Sequence, residues 1–223
     1  MVERPVTSKN ISVRMFRSDL LESFSHIHPA TPLVLGVPSL VAMVVWALAP
    51  LRMPVGAFLA TYAAGLFAWT LMEYVMHRFV FHYEPRSAWG RKVHFTIHGV
   101  HHAYPQDATR LVMPPALSIP LGLAAFGLLW ITVGLPWTPA VFAGLVTGYM
   151  AYDSIHFAVH HLHFRNRVFQ ALKKQHARHH FQDPDRGYGV SNPLWDHVFR
   201  TQLPPTGPRD ERGKGPAVVA EAD

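Results

Sequence analysis

The chain has 223 residues, 49% hydrophobic and only 15% charged, with no cysteine, 16 histidines and a formal net charge of +6. The lack of cysteine excludes disulfide scaffolds, thiolate nucleophiles, cysteine zinc sites and iron–sulfur clusters. A charged fraction well below the roughly 25% of soluble domains points to a membrane, and the basic residues sit between apolar runs rather than in the aromatic-interleaved stripe of a nucleic-acid binder.

Residues 1–29 form a mixed polar N-terminal segment with Arg4, Lys9, Arg14 and Arg17, without the layout of a signal peptide. Residues 30–51 carry no charge until the connection at Arg52 and Pro54, which is long enough for a first membrane helix. A second run, about 53–76, stays uncharged up to Glu73. A polar, histidine-rich stretch follows to Arg110. Residues 111–152 are again free of charge. Gly134-Leu135-Pro136 splits them into helices expected at about 111–133 and 138–158, the last running past Asp153 into more histidines.

The expected fold is therefore an all-α integral membrane protein with four transmembrane helices in two hairpins. A helical cytosolic cap, 77–110 and 159–203, holds the histidines, and 204–223 reads as a disordered tail. Of the 20 Lys and Arg residues only Arg52 falls at a proposed outer connection, so both termini should face the cytoplasm.

The histidines need a chemical reason. They fall into four groups: His77-Arg-Phe-Val-Phe-His82; His98-Gly-Val-His101-His102, with His94 one turn earlier; His156-Phe-Ala-Val-His160-His161; and His176-Ala-Arg-His179-His180. Residues i, i+3 and i+4 share a helix face. His98, His101 and His102 should then point one way, as should His176, His179 and His180, and as should His156 with His160. Neutral imidazole is a strong ligand for iron, copper, nickel and zinc. About ten imidazoles exceed what one ion takes, so two metals with roughly five nitrogens each fit better. There is no HExxH, and Glu73 stands four residues before His77 rather than in a Glu-x-x-His unit. The site reads as an all-histidine di-iron centre for oxygen chemistry.

The pieces HRFVFH (77–82), HGVHH (98–102), RLVMPP (110–115), YDSIHFAVHH (152–161), LKKQHARHHF (172–181) and GYGVSNPLWDHVF (187–199) occur in this order. With them the chain resembles the fatty acid 2-hydroxylase family, within the fatty acid hydroxylase and sterol desaturase superfamily, over about residues 65–201. The resemblance implies O2-dependent hydroxylation at C2 of a long acyl chain, free or in a sphingolipid or ceramide. It implies two irons held by His77, His82, His98, His101, His102, His156, His160, His176, His179 and His180, with zinc as a possible replacement in purified protein. His161, His94, Glu73, Asp153 and Asp196 would be further ligands or groups that orient the imidazoles. His163 would be structural or orienting, and His26, His28 and His197 neither. Tyr152 and Tyr188 are candidates to contact the substrate head group, with an interfacial anchor the better reading for Tyr152, and Trp195 should pack the cap rather than touch substrate.

Many eukaryotic members carry an N-terminal cytochrome b5 domain. Here the N-terminal segment is too short for one, and His28-Pro29 is followed by Ala30-Thr31 instead of the haem motif. No haem is expected in this chain, and electrons should come from a separate cytochrome b5-like or ferredoxin-like protein. The membrane would be a bacterial inner membrane or the endoplasmic reticulum. The alternatives are a sterol- or carotenoid-type hydroxylase or desaturase of the superfamily, or a metal transporter. A transporter should place ionisable residues at the membrane midplane, and the apolar runs lack them.

Overall fold

The computed structural model describes residues 11–205, so residues 1–10 and all but the first two residues of the expected tail lie outside it. Every regular element among the described residues is helical. In chain order these are α1 (Asp19–Ser25), α2 (Thr31–Leu48), α3 (Val55–Val75), α4 (Ala88–His94), α5 (Val100–Ala103), α6 (Pro115–Thr132), α7 (Trp137–His161), α8 (Arg167–Phe181) and α9 (Leu194–Val198). Two π-helical turns interrupt the sequence: Met76–Phe81 prolongs α3, and Phe95–Gly99 joins α4 to α5.

Three stretches are long and apolar enough to cross a membrane: Thr31–Leu48, Val55–Phe81 and Ala108–Thr132. Their side chains Val37, Val41, Val45, Leu59, Phe67, Ile119, Leu123 and Ile131 point outwards, as a lipid solvent favours. The fourth long helix, α7, does not meet the same measure. Its interior face carries Thr138, Tyr152, Asp153 and His156 among small residues, and it is buried by its neighbours.

Packing also departs from two self-contained hairpins. The short connections 49–54 and 133–136 join α2 to α3 and α6 to α7, yet α7 packs chiefly on α3 and then on α2. The reason is the glycine pattern. A Cβ on Gly65 would lie 2.1 Å from the Val141 carbonyl oxygen, and one on Gly144 would lie 2.2 Å from that of Tyr62. Small residues let two helix backbones approach this closely. Gly144→Val should therefore destabilise the fold by about 1–3 kcal/mol through overpacking. Gly127→Ala, where a Cβ meets nothing within 4 Å, serves as control. Thermal unfolding of the two variants checks this; equal midpoints would mean that α3 and α7 do not meet here.

The C-terminal ends of α3 and α7 thus lie side by side at the end of the bundle away from the two short connections. On that end sit α4, α5, α8 and α9. Trp195 of α9 is tied to α3 by its indole N–H, which donates to Thr70 Oγ1 at 2.9 Å. Its ring lies against Phe67 and Phe199, which is the packing role expected of it.

Candidate metal centre

Residues 77 and 82 are five apart, which on an α-helix leaves them about 140° out of phase. The chain solves this locally by forming an i→i+5 turn, with His82 N–H donating to the His77 carbonyl at 3.1 Å. π-turns of this kind are frequent at functional sites. The His94 Nε2 and the Phe81 carbonyl lie 2.6 Å apart, pinning the end of that turn.

Ten histidines converge in two groups. His77, His82, His98, His102 and His179 form one, and His101, His156, His160, His176 and His180 the other. Within each group one ligand nitrogen per residue lies within 4.8 Å of the others. These are the ten residues singled out from the sequence, but their partition corrects the expectation that each His-x-x-His-His triplet points one way. His98 and His102 enter the first group while His101 enters the second. His176 and His180 enter the second while His179 enters the first. On a helix i+4 lies about 40° to one side of i and i+3 about 60° to the other. Each triplet therefore straddles both groups, which touch where His102 stacks on His180 with ring centres 4.2 Å apart.

The donor chemistry fits metal ions. His77 Nδ1 lies 2.5 Å from the Tyr188 carbonyl, and His179 Nδ1 lies 2.8 Å from that of Arg186. A carbonyl only accepts, so both Nδ1 atoms carry the proton and both Nε2 atoms present a lone pair. Both lone pairs face His82 Nε2, at 3.2 and 3.1 Å. A neutral His82 can donate to only one of them. Burial, with the neighbouring His179 and His94, pushes the His82 imidazole down to about 3, so it is neutral. In the second group His176 Nε2 lies 2.8 Å from His160 Nε2 and 3.0 Å from His180 Nε2. Two nitrogens bound side by side to one ion at about 2.0–2.1 Å would be roughly 2.9 Å apart.

Several buried ring nitrogens have no hydrogen-bond partner among the described residues, including His98 Nε2, His102 Nε2 and both nitrogens of His101 and His156. Burial, reinforced by neighbouring imidazoles, holds His98, His101, His102, His176 and His180 well below the usual histidine range. Neutral, convergent and unpartnered imidazoles are what a pair of metal ions requires.

The carboxylates near the site do other work. Glu73 Oε1 accepts from the N–H groups of Val190 and Ser191 at 2.7 and 2.8 Å, and Oε2 from the Ser191 hydroxyl. Asp196 accepts from Tyr188 N–H at 3.0 Å, Gly189 N–H at 2.8 Å and the Thr201 hydroxyl at 2.7 Å. Both are buried. They clamp the segment 187–191, which is the one that presents the Tyr188 carbonyl to His77. Gly187 has φ +72° there, and a Cβ on Gly189 would strike the Asn192 carbonyl at 2.0 Å, so glycine is needed at both positions. Asp153 is buried and makes no bond to a histidine; its Oδ2 has no partner among the described residues.

The remaining candidates lie outside both groups. His161 rests on the Phe157 ring, and His163, His28 and His197 are exposed. Tyr188 presents its ring to His77, His82 and His179 at 5.4–5.8 Å and does not line the cavity described next. Tyr152 does line it, with its ring 5.6 Å from that of His156.

This cavity has a volume of about 340 Å³ and a mostly apolar lining. It reaches His98 of one group and His156 of the other, and is otherwise walled by Phe81, Ile97, Val112 and Met113. Its outer wall is one the sequence reading passed over: Met15, Phe16, Leu21 and Phe24 from the N-terminal segment. That segment is clipped down by Arg110, which donates to the Val13 carbonyl, to Glu22 Oε1 at 2.5 Å and to Ser25 Oγ at 3.3 Å. Ile27 N–H adds a bond to the Thr109 carbonyl at 2.7 Å, and His26 lies 2.8 Å from the Thr109 hydroxyl. The available signal was the apolar spacing of Leu21 and Phe24 beside an acidic residue, too short a pattern to place against a partner 88 residues away.

The Fatty acid hydroxylase family model matches residues 62–201. The chain is 42% identical over 139 residues to the dihydroceramide fatty acyl 2-hydroxylase FAH2 of Arabidopsis thaliana, covering 62% of this chain and 59% of that protein. It is 36% identical over 216 residues to the FAH1 protein of the same name and plant, covering 95% and 88%. A solved structure described as full-length scs7p with only the hydroxylase domain visible superposes with a TM-score of 0.79 at 36% identity, covering 85% of this chain and 72% of that one.

Proposed function

Because the chain belongs to the fatty acid hydroxylase family, we propose that it hydroxylates C2 of a long acyl chain, free or carried in a sphingolipid or ceramide. What supports the reading is the apolar cavity that takes in His98 from one histidine group and His156 from the other. Cavities of a few hundred Å³, apolar but for a few polar groups, are the usual shape of a small-molecule site. An acyl chain lying in this one has a carbon beside both groups.

Two metal ions, irons in the cell, would be held by His77, His82, His98, His102 and His179 and by His101, His156, His160, His176 and His180. Zinc is accepted by the same nitrogens after purification. When bound, the irons would supply O2 activation, the overall change being insertion of one oxygen atom into the C2–H bond and release of the other as water, with two protons from solvent and two electrons from a separate cytochrome b5-like or ferredoxin-like protein. The chain's own part is positional. Its apolar wall excludes water and aligns the acyl chain, and the Tyr188 and Arg186 carbonyls hold His77 and His179 in one tautomer.

We infer four crossings, with α7 as the fourth, its polar face covered by α3 and α2 rather than by lipid. The histidine end faces the cytoplasm with both termini, in a bacterial inner membrane or the endoplasmic reticulum.

Lipid mass spectrometry of cells with and without the chain tests the reaction. The expected result is a gain of one oxygen on long acyl chains, mapped to C2. Oxygen at another carbon, or a loss of two hydrogens instead, would overturn it.

A further inference from the structure

The apolar cavity has two ends. At the buried end stand Tyr152, His98 and His156. At the other end its lining side chains reach the surface, and the exposed ones are Leu21, Phe24, Thr96, Ile97 and Ala116. Four of these five are apolar, so the mouth is rimmed by groups that water solvates poorly. An apolar rim of this kind marks a surface that meets a membrane or a partner.

The neighbours of the mouth decide which. Ala116 lies in the first turn of α6, part of a membrane-length stretch whose next outward side chains are Ile119, Leu121 and Leu123. On the other side α1 ends at Ser25, and α2, with Leu33, Val34 and Val37 turned outwards, starts at Thr31. The mouth is thus built from the chain just before one lipid-facing helix and from the first residues of another.

The helix α1 is patterned for that place. At 3.6 residues per turn, Leu20, Leu21 and Phe24 share an arc of about 100°. Glu22 and Ser25 occupy the next arc and meet Arg110, while Asp19 and Ser23 fill the remaining one. None of the seven residues of α1 is buried, so the helix has no core contact of its own to keep it in place. Hydrogen bonds do that, and they converge on one pair. Glu22 Oε2 accepts from the Met15 and Phe16 N–H groups at 2.9 and 2.8 Å, and Glu22 Oε1 accepts from Arg110 at 2.5 Å. The side chains of this pair are 15% and 2% exposed, so water screens it little and the charged bond is strong. The bonds of His26 and Ile27 to Thr109 hold the foot of the segment, beyond α1. Segments with few buried apolar contacts open at low free-energy cost, and this one is closed by a single clasp.

We propose that the apolar face of α1 lies in the membrane surface as the lipid-side wall of the cavity mouth, that the Glu22–Arg110 clasp holds this wall shut, and that an acyl chain enters sideways from the bilayer when it opens. The entry of an acyl chain rests on the reading of this cavity as the acyl site; the membrane contact and the clasp do not.

The chain has no cysteine of its own, so single introduced cysteines report one place each in the purified full chain, held in phosphatidylcholine nanodiscs. Leu20 is exposed and lines no part of the cavity. A bimane dye on Leu20→Cys should be quenched about twofold more strongly than one on Ser23→Cys when the lipid acyl chains carry bromine. Equal quenching at the two positions overturns the membrane contact, whether the face then meets water or another protein.

The clasp is read at Val112→Cys, a buried position in the cavity wall. Apolar N-ethylmaleimide should label it faster than a sulfonated maleimide, because the route runs through lipid. Glu22→Gln should speed this labelling about tenfold, the worth of one charged hydrogen bond, with the thermal midpoint and metal content kept. Arg110→Gln should do the same, and the double variant no more than either, since one interaction is lost in all three. Asp19→Asn, whose partner is Arg14 rather than the clasp, should change nothing. Unchanged labelling in Glu22→Gln, or equal labelling by the two reagents, overturns the proposal. Product analysis with O2 and reductant on the same preparations separates the two readings. A wild type that forms no 2-hydroxy product sinks the reaction assigned above, whereas quenching and labelling alone decide the wall and its clasp.

Discussion

The double variant His98→Ala/His179→Ala should lose one metal ion per chain and hold the other as the wild type does, with no detectable hydroxylation. These two residues come from different sequence motifs but from one histidine group, so the substitution takes two of five nitrogens from a single ion. The variant His176→Ala/His179→Ala is the informative contrast. Its two residues share a motif three positions apart, yet belong to different groups. Each ion would lose one ligand, and both should loosen together by more than the about 10- to 100-fold typical of losing an outer partner. Chelator titration with metal analysis distinguishes one ion released and one retained from two ions released in a single phase. If instead the triplet His176, His179 and His180 served one ion, the two variants would exchange their behaviours.

Asp196→Ala should weaken one ion and spare the other. It strands the Tyr188 and Gly189 N–H groups in a buried place, while the Thr201 hydroxyl keeps the Tyr74 hydroxyl at 3.0 Å. Each unsatisfied donor costs about 1–3 kcal/mol. The segment then shifts, and the Tyr188 and Arg186 carbonyls no longer hold the Nδ1 atoms of His77 and His179. Both histidines belong to the first group. Affinity for that ion should fall about 10- to 100-fold, with activity falling in parallel. Glu73→Ala should act in the same direction, because Glu73 holds the next two residues, Val190 and Ser191. Asp196→Asn keeps one acceptor oxygen and should be intermediate. Metal competition assays on each variant check this, and equal weakening of both ions would reduce Asp196 to general stability.

The coarse features of this protein are local in the chain and were legible there. An uncharged run of some twenty residues marks a helix long and apolar enough to cross a membrane, as at Thr31–Leu48. Four histidine groups at or beyond the ends of apolar runs together point to a metal site, and spacing with resemblance picks out all ten histidines that the fold gathers into two groups able to hold a metal. The helix expected to start at residue 111 begins at Pro115, because residues 111–114 run irregularly along the cavity. Helix ends depend on such contacts.

Which imidazole serves which group could not be read from the sequence. The answer depends on the phase at which α5, α7 and α8 meet, and a three-residue spacing straddles a boundary that only the neighbouring helices draw. The pairing of His77 with His82 needed a π-turn, a backbone choice stabilised by the surrounding cap rather than by the propensity of Met76–Phe81 alone. Glu73 and Asp196 looked alike with Asp153 as carboxyls near histidines. Packing separated them, because the first two meet N–H groups more than a hundred residues away or across a tight loop, while Asp153 meets a cavity. Apolar run length and helical spacing are set by covalent neighbours and so belong to the sequence. Ligand partition, carboxylate role and the N-terminal wall over the cavity are contacts between distant segments, and only the folded chain decides them.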